Sequence, residues 1–292
     1  MSVAETTDPD APGPDDEVAD PPSRYDQMAG GYARFWAPVL REAAERVLDH
    51  LAPHVDGVRG AELLDVGTGT GTLAIAALQR WPGLRVTGID PSGGMLEVAG
   101  ATAAARLSAA TARRFRRRVA PADRMPFTDG SFDAAMSSFV LQLVPSRAAA
   151  LREIRRVLKP GGVAAWVSWQ RTNRAFEPDR LANQVLDDFG FDPPEPDARS
   201  GDIASPDSAA GSMRRAGFRE VRAWAGECTY AWDANGYLAF LTEFDEQSLF
   251  DDLEAEERAE IEAAILERLQ GLGPDELTLR LPIVYAMGRT AA

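Results

Sequence analysis

The stretch Asp65-Val66-Gly67-Thr68-Gly69-Thr70-Gly71 places a carboxylate two residues ahead of three alternating glycines. An apolar run, Ala61 to Val66, precedes it, and Leu73, Ile75, Ala76, Ala77 and Leu78 follow with helical spacing. A loop between a strand and a helix is where glycines permit a tight turn and let backbone N–H groups approach a ligand. Nineteen residues after Gly71, Asp90 ends a second apolar run, Leu84 to Ile89. A carboxylate at a strand end can accept hydrogen bonds from both hydroxyls of a ribose. Read from Gly69, the loop also satisfies the dinucleotide pattern GxGxxA through Ala74, with Asp90 near the spacing of its acid, so a dehydrogenase is one candidate. Glycines that serve only a tight turn are another.

Other chemistries are removed by residue type. Lys159 is the only lysine and sits in Leu-Lys-Pro-Gly, which leaves no P-loop and no Tyr-x-x-x-Lys pair, since position 155 is Arg. Cys228 is the only cysteine, so an intramolecular disulfide and a multi-cysteine metal site are excluded. The two histidines, His50 and His54, are spaced i, i+4, but Pro53 is expected to interrupt that spacing, and no metal site is assigned. No general base is named.

The elements that must position these residues alternate between strand and helix, as in a parallel sheet covered by helices. After the first βα unit, stopped by Trp81-Pro82-Gly83, come a strand from Leu84 to Ile89 and an Ala-rich helix from Gly93 to about Ala112. Strands follow near Phe115 to Ala120 and Phe132 to Ser138. A helix after Pro145 with Leu151, Ile154 and Leu158 on one face is expected to end at Pro160-Gly161-Gly162, before a strand from Val163 to Trp169. Residues 170–204 read as loop with one short helix. Ser205-Pro206-Asp207 caps a helix that Gly217 stops, and strands are expected from about Phe218 to Thr229 and from Leu279 to Met287. Between these last two, Tyr237, Phe240, Leu241 and Phe244, then Ile261, Ile265 and Leu269, carry helical spacing, read as an inserted helical cap over about 230–278.

The net charge of −14 is uneven, because residues 1–23 carry seven acids, five prolines and no basic side chain. That composition is expected to be a disordered acidic tail ahead of one domain over 24–292. No apolar stretch approaches a bilayer span and the N-terminus lacks a signal-peptide pattern, so no membrane association and a cytoplasmic location are expected. Arg113-Arg114-Phe115-Arg116-Arg117-Arg118 is the one concentrated basic patch. In an otherwise acidic chain it reads as a charged sheet edge, and no nucleic-acid partner is expected.

Taken in order, the motifs resemble a class I S-adenosylmethionine-dependent methyltransferase, of the branch that includes quinone-biosynthesis and natural-product enzymes. Leu63 to Gly71 resembles its first motif, Val86 to Ser92 with Met95 and Leu96 its second, and Ala120 to Phe127 followed by Phe132-Asp133 its third and fourth. Leu151 to Gly162 is similar to the helix and turn before its fifth strand, and Tyr25-Asp26 with Ala29-x-x-Tyr32 to its opening helix. A dehydrogenase does not account for these later segments. The resemblance implies an α/β fold: a Rossmann-like, mostly parallel seven-stranded sheet with helices on both faces.

It further implies S-adenosylmethionine as cofactor and a small, largely apolar acceptor methylated on oxygen or carbon. A non-methylating enzyme on the same fold and a cofactor-binding regulator remain the alternatives. The implied cofactor residues are Tyr32, Asp65, Gly67, Thr68, Gly69, Asp90, Pro91, Met95, Ala122, Asp123, Arg124, Ser138 and Phe139. Asp90 is assigned to the ribose and Asp123 to the adenine amino group. Asp65 either organises the turn or serves the cofactor's amino group, and Met95 either covers the adenine or fills core. Trp36, Gln142, Trp169, Phe240 and Phe244 are the implied acceptor-binding residues.

Overall fold

A computed structural model describes residues 21–191 and 201–292. Most of the acidic segment therefore lies outside the described residues, and the chain enters in helix α1 (Pro21–Gly31), slightly earlier than the expected boundary at residue 23. A π-helical turn (Tyr32–Trp36) leads into α2 (Ala37–Val55). Then follow β1 (Glu62–Val66), α3 (Thr72–Arg80), β2 (Arg85–Asp90), α4 (Gly93–Arg106), α5 (Ala109–Ala112), β3 (Phe115–Val119), β4 (Phe132–Ser138) and α6 (Arg147–Val157). The remainder comprises β5 (Leu158–Trp169), α7 (Glu177–Asp188), α8 (Pro206–Arg215), β6 (Arg219–Ala231), α9 (Ala234–Phe240), a second π-turn (Leu241–Asp245), α10 (Gln247–Asp252), α11 (Ala255–Gln270) and β7 (Thr278–Arg289).

The seven strands order as β3-β2-β1-β4-β5-β7-β6, with β7 antiparallel to both of its neighbours. Side chains of a strand alternate between faces, and both faces are covered here. Leu63 joins one core with Val47, Leu51, Leu73, Leu78 and Ala99 from α2, α3 and α4. Leu64 and Val66 join a second with Leu151 and Ile154 of α6 and Met213 of α8. A third cluster, built on Tyr237, Phe240, Phe250, Ile261, Ile265 and Leu269, lies in the helices between β6 and β7 and packs on Val185 and Leu186 of α7.

Three local expectations are corrected. The Ala-rich helix is two helices: α4 ends at Arg106, and the Ser108 hydroxyl accepts the Thr111 N–H to cap α5. Helix α6 ends at Val157, so Pro160-Gly161-Gly162 does not stop a helix but lies inside β5. There Leu158 pairs with Phe132 of β4 and the register shifts before Val163 pairs with Ala134. Pro53 does not interrupt α2, which runs on to Val55; in a last turn the missing N–H costs one bond rather than the helix.

Because β1 is flanked by β2 and β4, the connections leaving its carboxyl edge diverge to opposite faces of the sheet. Open α/β sheets bind ligands in the crevice so formed.

Candidate cofactor and acceptor site

The glycine loop leaves β1 at that crevice. Gly67 adopts φ +68, and a Cβ there would lie 2.2 Å from Cγ2 of Val140, so only glycine fits both the left-handed backbone and the close approach. Thr68 is engaged on every side: its N–H donates to the Ile89 carbonyl (2.8 Å), its hydroxyl to Asp65 (2.7 Å), and its carbonyl accepts from Gly71 (2.9 Å). Asp65 is almost fully buried and also accepts the Ala74 N–H. Of the two roles open to Asp65, this geometry performs the first, tying the loop to the start of α3. Burial pushes its carboxyl up to about 7, against the hydrogen bond from Thr68.

At the end of β2, Asp90 receives the Gly69 N–H on Oδ2 (2.9 Å) and the Ser92 N–H on Oδ1 (3.0 Å). Ser92 caps α4, its hydroxyl accepting the Met95 N–H at 3.0 Å. Burial raises the Asp90 carboxyl above its ordinary range, those two N–H bonds lower it, and the charge of Asp26 raises it again. A carboxylate offers roughly four lone-pair directions. One N–H on each oxygen leaves each able to accept once more, which is the pair of acceptors that the two hydroxyls of a vicinal diol require. Pro91 beside it is exposed, whereas Met95 is buried and contributes to the packing under α4.

The third motif reaches the same edge, since the Ala120 N–H donates to the Asp90 carbonyl at 3.0 Å. In the turn that follows, Ala122 is buried, Asp123 half-buried and Arg124 exposed. Two residues of α6 that sequence reading did not assign to the site hold this turn. Glu153 accepts the Met125 N–H (2.9 Å), and Arg156 donates to the carbonyls of Phe127 (2.7 Å) and Met125 (3.1 Å). Their proximity to the third motif was the only available signal, and spacing along the helix does not reveal it.

From the end of β4, Ser138 is half-buried, and Phe139 is buried at φ +55, a conformation costly for a residue with a Cβ. The Phe139 N–H donates to the Val167 carbonyl (2.9 Å). Gln142, one of the implied acceptor residues, has its amide engaged within the fold. Its amide N–H donates to the Phe139 carbonyl (2.8 Å) and its oxygen accepts the Ser168 hydroxyl (2.6 Å), so it braces the strained turn.

Phe139 begins a continuous aromatic wall. Its ring centroid lies 4.6 Å from that of Trp169, which lies 6.4 Å from Trp36; Trp36 stacks on Phe240 at 5.5 Å, Phe240 meets Phe244 at 5.8 Å, and Phe244 meets Tyr32 edge-on at 6.4 Å. Tyr32 and Trp36 bound the first π-turn and Phe244 lies in the second, a form that concentrates at functional sites. Tyr32 ends the wall: burial raises its phenol above the ordinary range, and the charge of Asp90 adds to the shift. The wall thus runs from the end of β4, across the helices between β6 and β7, and back toward the carboxylate at the end of β2.

The histidines lie elsewhere. His50 packs edge-on against Trp224 at 4.3 Å, and His54 faces Arg289 and Glu220, at the opposite end of the sheet from Asp90. Three of the arginines in the basic run are spent on backbone carbonyls: Arg114 on Leu84 (2.8 Å), Arg117 on Leu96 (2.9 Å) and Arg118 on Pro126 (3.4 Å).

Residues 64–166 match the family model described as a methyltransferase domain. A ubiquinone/menaquinone biosynthesis C-methyltransferase, UbiE, of Geotalea daltonii is 43% identical over 101 residues, 34% of this chain and 42% of that protein. A malonyl-[acyl-carrier protein] O-methyltransferase of Geobacter sulfurreducens is 30% identical over 209 residues, 70% of this chain and 72% of that one. The chain belongs to the class I S-adenosylmethionine-dependent methyltransferases. Against UbiE-type relatives it spans about half of their length or less. In fold, the [4+2]-cyclase SpnF superposes with a TM-score of 0.57 at 20% identity, covering 94% of this chain and 98% of that one. No helix among the described residues is long and apolar enough to cross a membrane.

Proposed function

We propose that the protein transfers the methyl group of S-adenosylmethionine to oxygen or carbon of a small, largely apolar acceptor. The observation that carries this reading is the aromatic wall from Phe139 to Phe244, which ends on Tyr32, a phenol within the electrostatic reach of the Asp90 carboxylate. An apolar surface with few polar groups, set against the cofactor edge, suits a flat hydrophobic acceptor. The UbiE-type relatives, named for quinone biosynthesis, support an acceptor of quinone-like shape.

When bound, the cofactor supplies a methyl group on an electrophilic sulfonium. This chain's residues bind, orient and exclude water. Asp90 accepts the ribose hydroxyls on the two lone pairs left by Gly69 and Ser92. Asp65 and Thr68 hold the loop that carries Gly67 and Gly69, and Ala122, Asp123 and Arg124 form the adenine side. Ser138 and Phe139 stand where the methionine end would lie. The rings of Trp36, Trp169, Phe240 and Phe244 align the acceptor and keep water from it, and alignment alone can supply several kcal/mol of the barrier. Arg113 to Arg118 serve the β3 edge rather than a nucleic acid. The helices between β6 and β7 act as a cap on one domain, and the protein works in the cytoplasm.

The test is incubation with S-adenosylmethionine and a panel of phenols, hydroquinones and carboxylic acids, reading S-adenosylhomocysteine and the mass of the product. Formation of both supports the reading. A product isomeric with its substrate, with no S-adenosylhomocysteine, would assign the fold to a non-methylating reaction. Cofactor binding with no turnover across the panel would favour a regulatory role.

A further inference from the structure

Helix α1 touches the rest of the molecule at two points, and both depend on the absence of a side chain. At one end, Asp26 Oδ1 accepts the Gly94 N–H at 2.8 Å and the Ser92 hydroxyl. A Cβ on Gly94 would lie 2.8 Å from the Asp26 carbonyl oxygen and 2.9 Å from its Cα, so glycine at 94 is what lets α1 settle on the first turn of α4. At the other end, a Cβ on Gly31 would lie 2.6 Å from the Phe244 ring of the second π-turn. There the Arg34 guanidinium also pairs with Glu243. The helix is a strap between the sheet domain and the helices that follow β6.

Its docking residue is joined to the cofactor carboxylate by one side chain. Ser92 gives its hydroxyl to Asp26 and its N–H to Asp90, while Asp90 takes the N–H of Gly69 from the glycine loop. Asp26, Ser92, Asp90 and Gly69 therefore form one hydrogen-bonded chain, running from the strap to the glycine loop. Six residues along the strap from Asp26 lies Tyr32, whose ring touches Phe244, and ten along lies Trp36, stacked on Phe240.

We infer that Asp26 is a positioning residue: by docking α1 on the start of α4 it sets Asp90 for the cofactor and brings Tyr32 and Trp36 against the aromatic wall in one movement, so that cofactor and acceptor binding are coupled through α1. This rests on the assignment of Asp90 to S-adenosylmethionine. A carboxylate acceptor suits the position, since it satisfies an unpaired N–H of the first helical turn and carries the charge that a helix N-terminus favours. Coupling between two sites through a shared element typically amounts to roughly 5- to 150-fold in affinity.

The test uses the full chain and isothermal titration with S-adenosylmethionine, with circular dichroism to establish folding. Asp26→Ala removes the acceptor, Gly94→Ala pushes α1 away while leaving the carboxylate intact, and Asp26→Asn retains an oxygen for both donors. Asp26→Ala and Gly94→Ala should each weaken binding about tenfold, near the low end of that coupling range. Asp26→Asn should restore it to within about threefold, which requires that an acceptor rather than a charge does the docking. Hydrogen exchange supplies a readout that general destabilisation would not give: cofactor should protect the amides of 24–36 in the wild type and in Asp26→Asn but not in Asp26→Ala. Folded Asp26→Ala and Gly94→Ala proteins with wild-type affinity would overturn the inference, as would failure of Asp26→Asn to restore binding or protection of 24–36 in Asp26→Ala. Failure of the underlying assignment is distinguishable, because a folded Asp90→Asn protein would then bind S-adenosylmethionine with wild-type affinity.

Discussion

Replacing Asp90 by Asn separates the binding role of this carboxylate from its cost to the fold. In the folded protein Asp90 is held by two backbone N–H groups, and its carboxyl is raised because burial disfavours the charged form. Asn keeps one oxygen, so one of the Gly69 and Ser92 N–H groups loses its acceptor, a cost of about 1–3 kcal/mol for a buried donor. Against this, the variant no longer places a charge in a site that disfavours it. The two effects oppose, and the unliganded variant should melt within a few degrees of the wild type, given about 2–4 °C per kcal/mol for chains of this size. The loss in binding has no such offset. A hydroxyl bonded to a carboxylate contributes roughly 1.5–3 kcal/mol, and losing the charge-assisted part of even one such bond weakens S-adenosylmethionine about ten- to hundredfold at 1.4 kcal/mol per decade. Titration calorimetry measures the affinity and a thermal melt without cofactor measures the fold. A folded Asp90→Asn protein that binds with wild-type affinity would refute the placement of the ribose.

Asp65 is raised to about 7 from an ordinary 3.8 by burial, so the folded state holds the proton more tightly than the unfolded chain. Its contribution to stability is therefore largest at low pH and declines as pH rises from about 4 to 7. Asp65→Asn should melt with a shallower fall across that window, and parallel melting curves from pH 5 to 7.5 would contradict the sign. Trp36→Ala removes the ring between Trp169 and Phe240 without touching the carboxylates, so the acceptor KM should rise about tenfold, well beyond any loss in cofactor affinity transmitted through α1, for a lost aromatic contact of roughly 0.5–1.5 kcal/mol plus its buried area. A proportional loss of both would mean that the wall is structural. Gly67→Ala forces a Cβ against Val140 at a positive φ and should cost about 1–3 kcal/mol. Adding Val140→Ala should recover part of the lost melting temperature, and no recovery would show that backbone strain alone is responsible.

Most of the sheet's centre was legible because β1, β2 and β4 are short, largely apolar runs next to Gly or Asp, and the glycine loop with Asp90 is fixed by spacing along one strand–loop–helix unit. What escaped depends on partners distant in sequence. Gln142 follows β4 at the ligand edge, yet its amide is taken by Phe139 and Ser168, and no local pattern announces Ser168. Arg156 lies on the polar face of an amphipathic helix, where a solvated side chain is the ordinary outcome, and only the fold brings the carbonyls of Phe127 and Met125 beneath it. The segment Pro160-Gly161-Gly162 carries the composition of a helix stop, but the helix had already ended, and the pairing of Leu158 with Phe132 draws those residues into the sheet. Tertiary pairing outweighed the local signal there.

The carboxylates of this molecule divide by what holds them, and the division sets the crevice apart from the rest of the chain. Away from the site, Asp133 pairs with Lys159 at 2.7 Å; burial raises its carboxyl, but the Glu62 N–H and the lysine more than offset this and leave it lowered. Glu153 pairs with Arg156 at 2.7 Å and is lowered chiefly by that bond. At the crevice, Asp65 and Asp90 are the more deeply buried pair, yet the groups that hold them are backbone N–H donors and the Thr68 hydroxyl, and both carboxyls are raised. Arginine accounts for all but one of the chain's basic residues and is available throughout the sequence, so an ion pair at this edge was within reach of the same chemistry. Leaving two buried carboxylates without a cation lowers the stability of the unliganded fold. A ligand whose hydroxyls donate to Asp90 would supply the missing partners only when bound, so the departure from ordinary charge pairing marks this edge as one that a ligand completes.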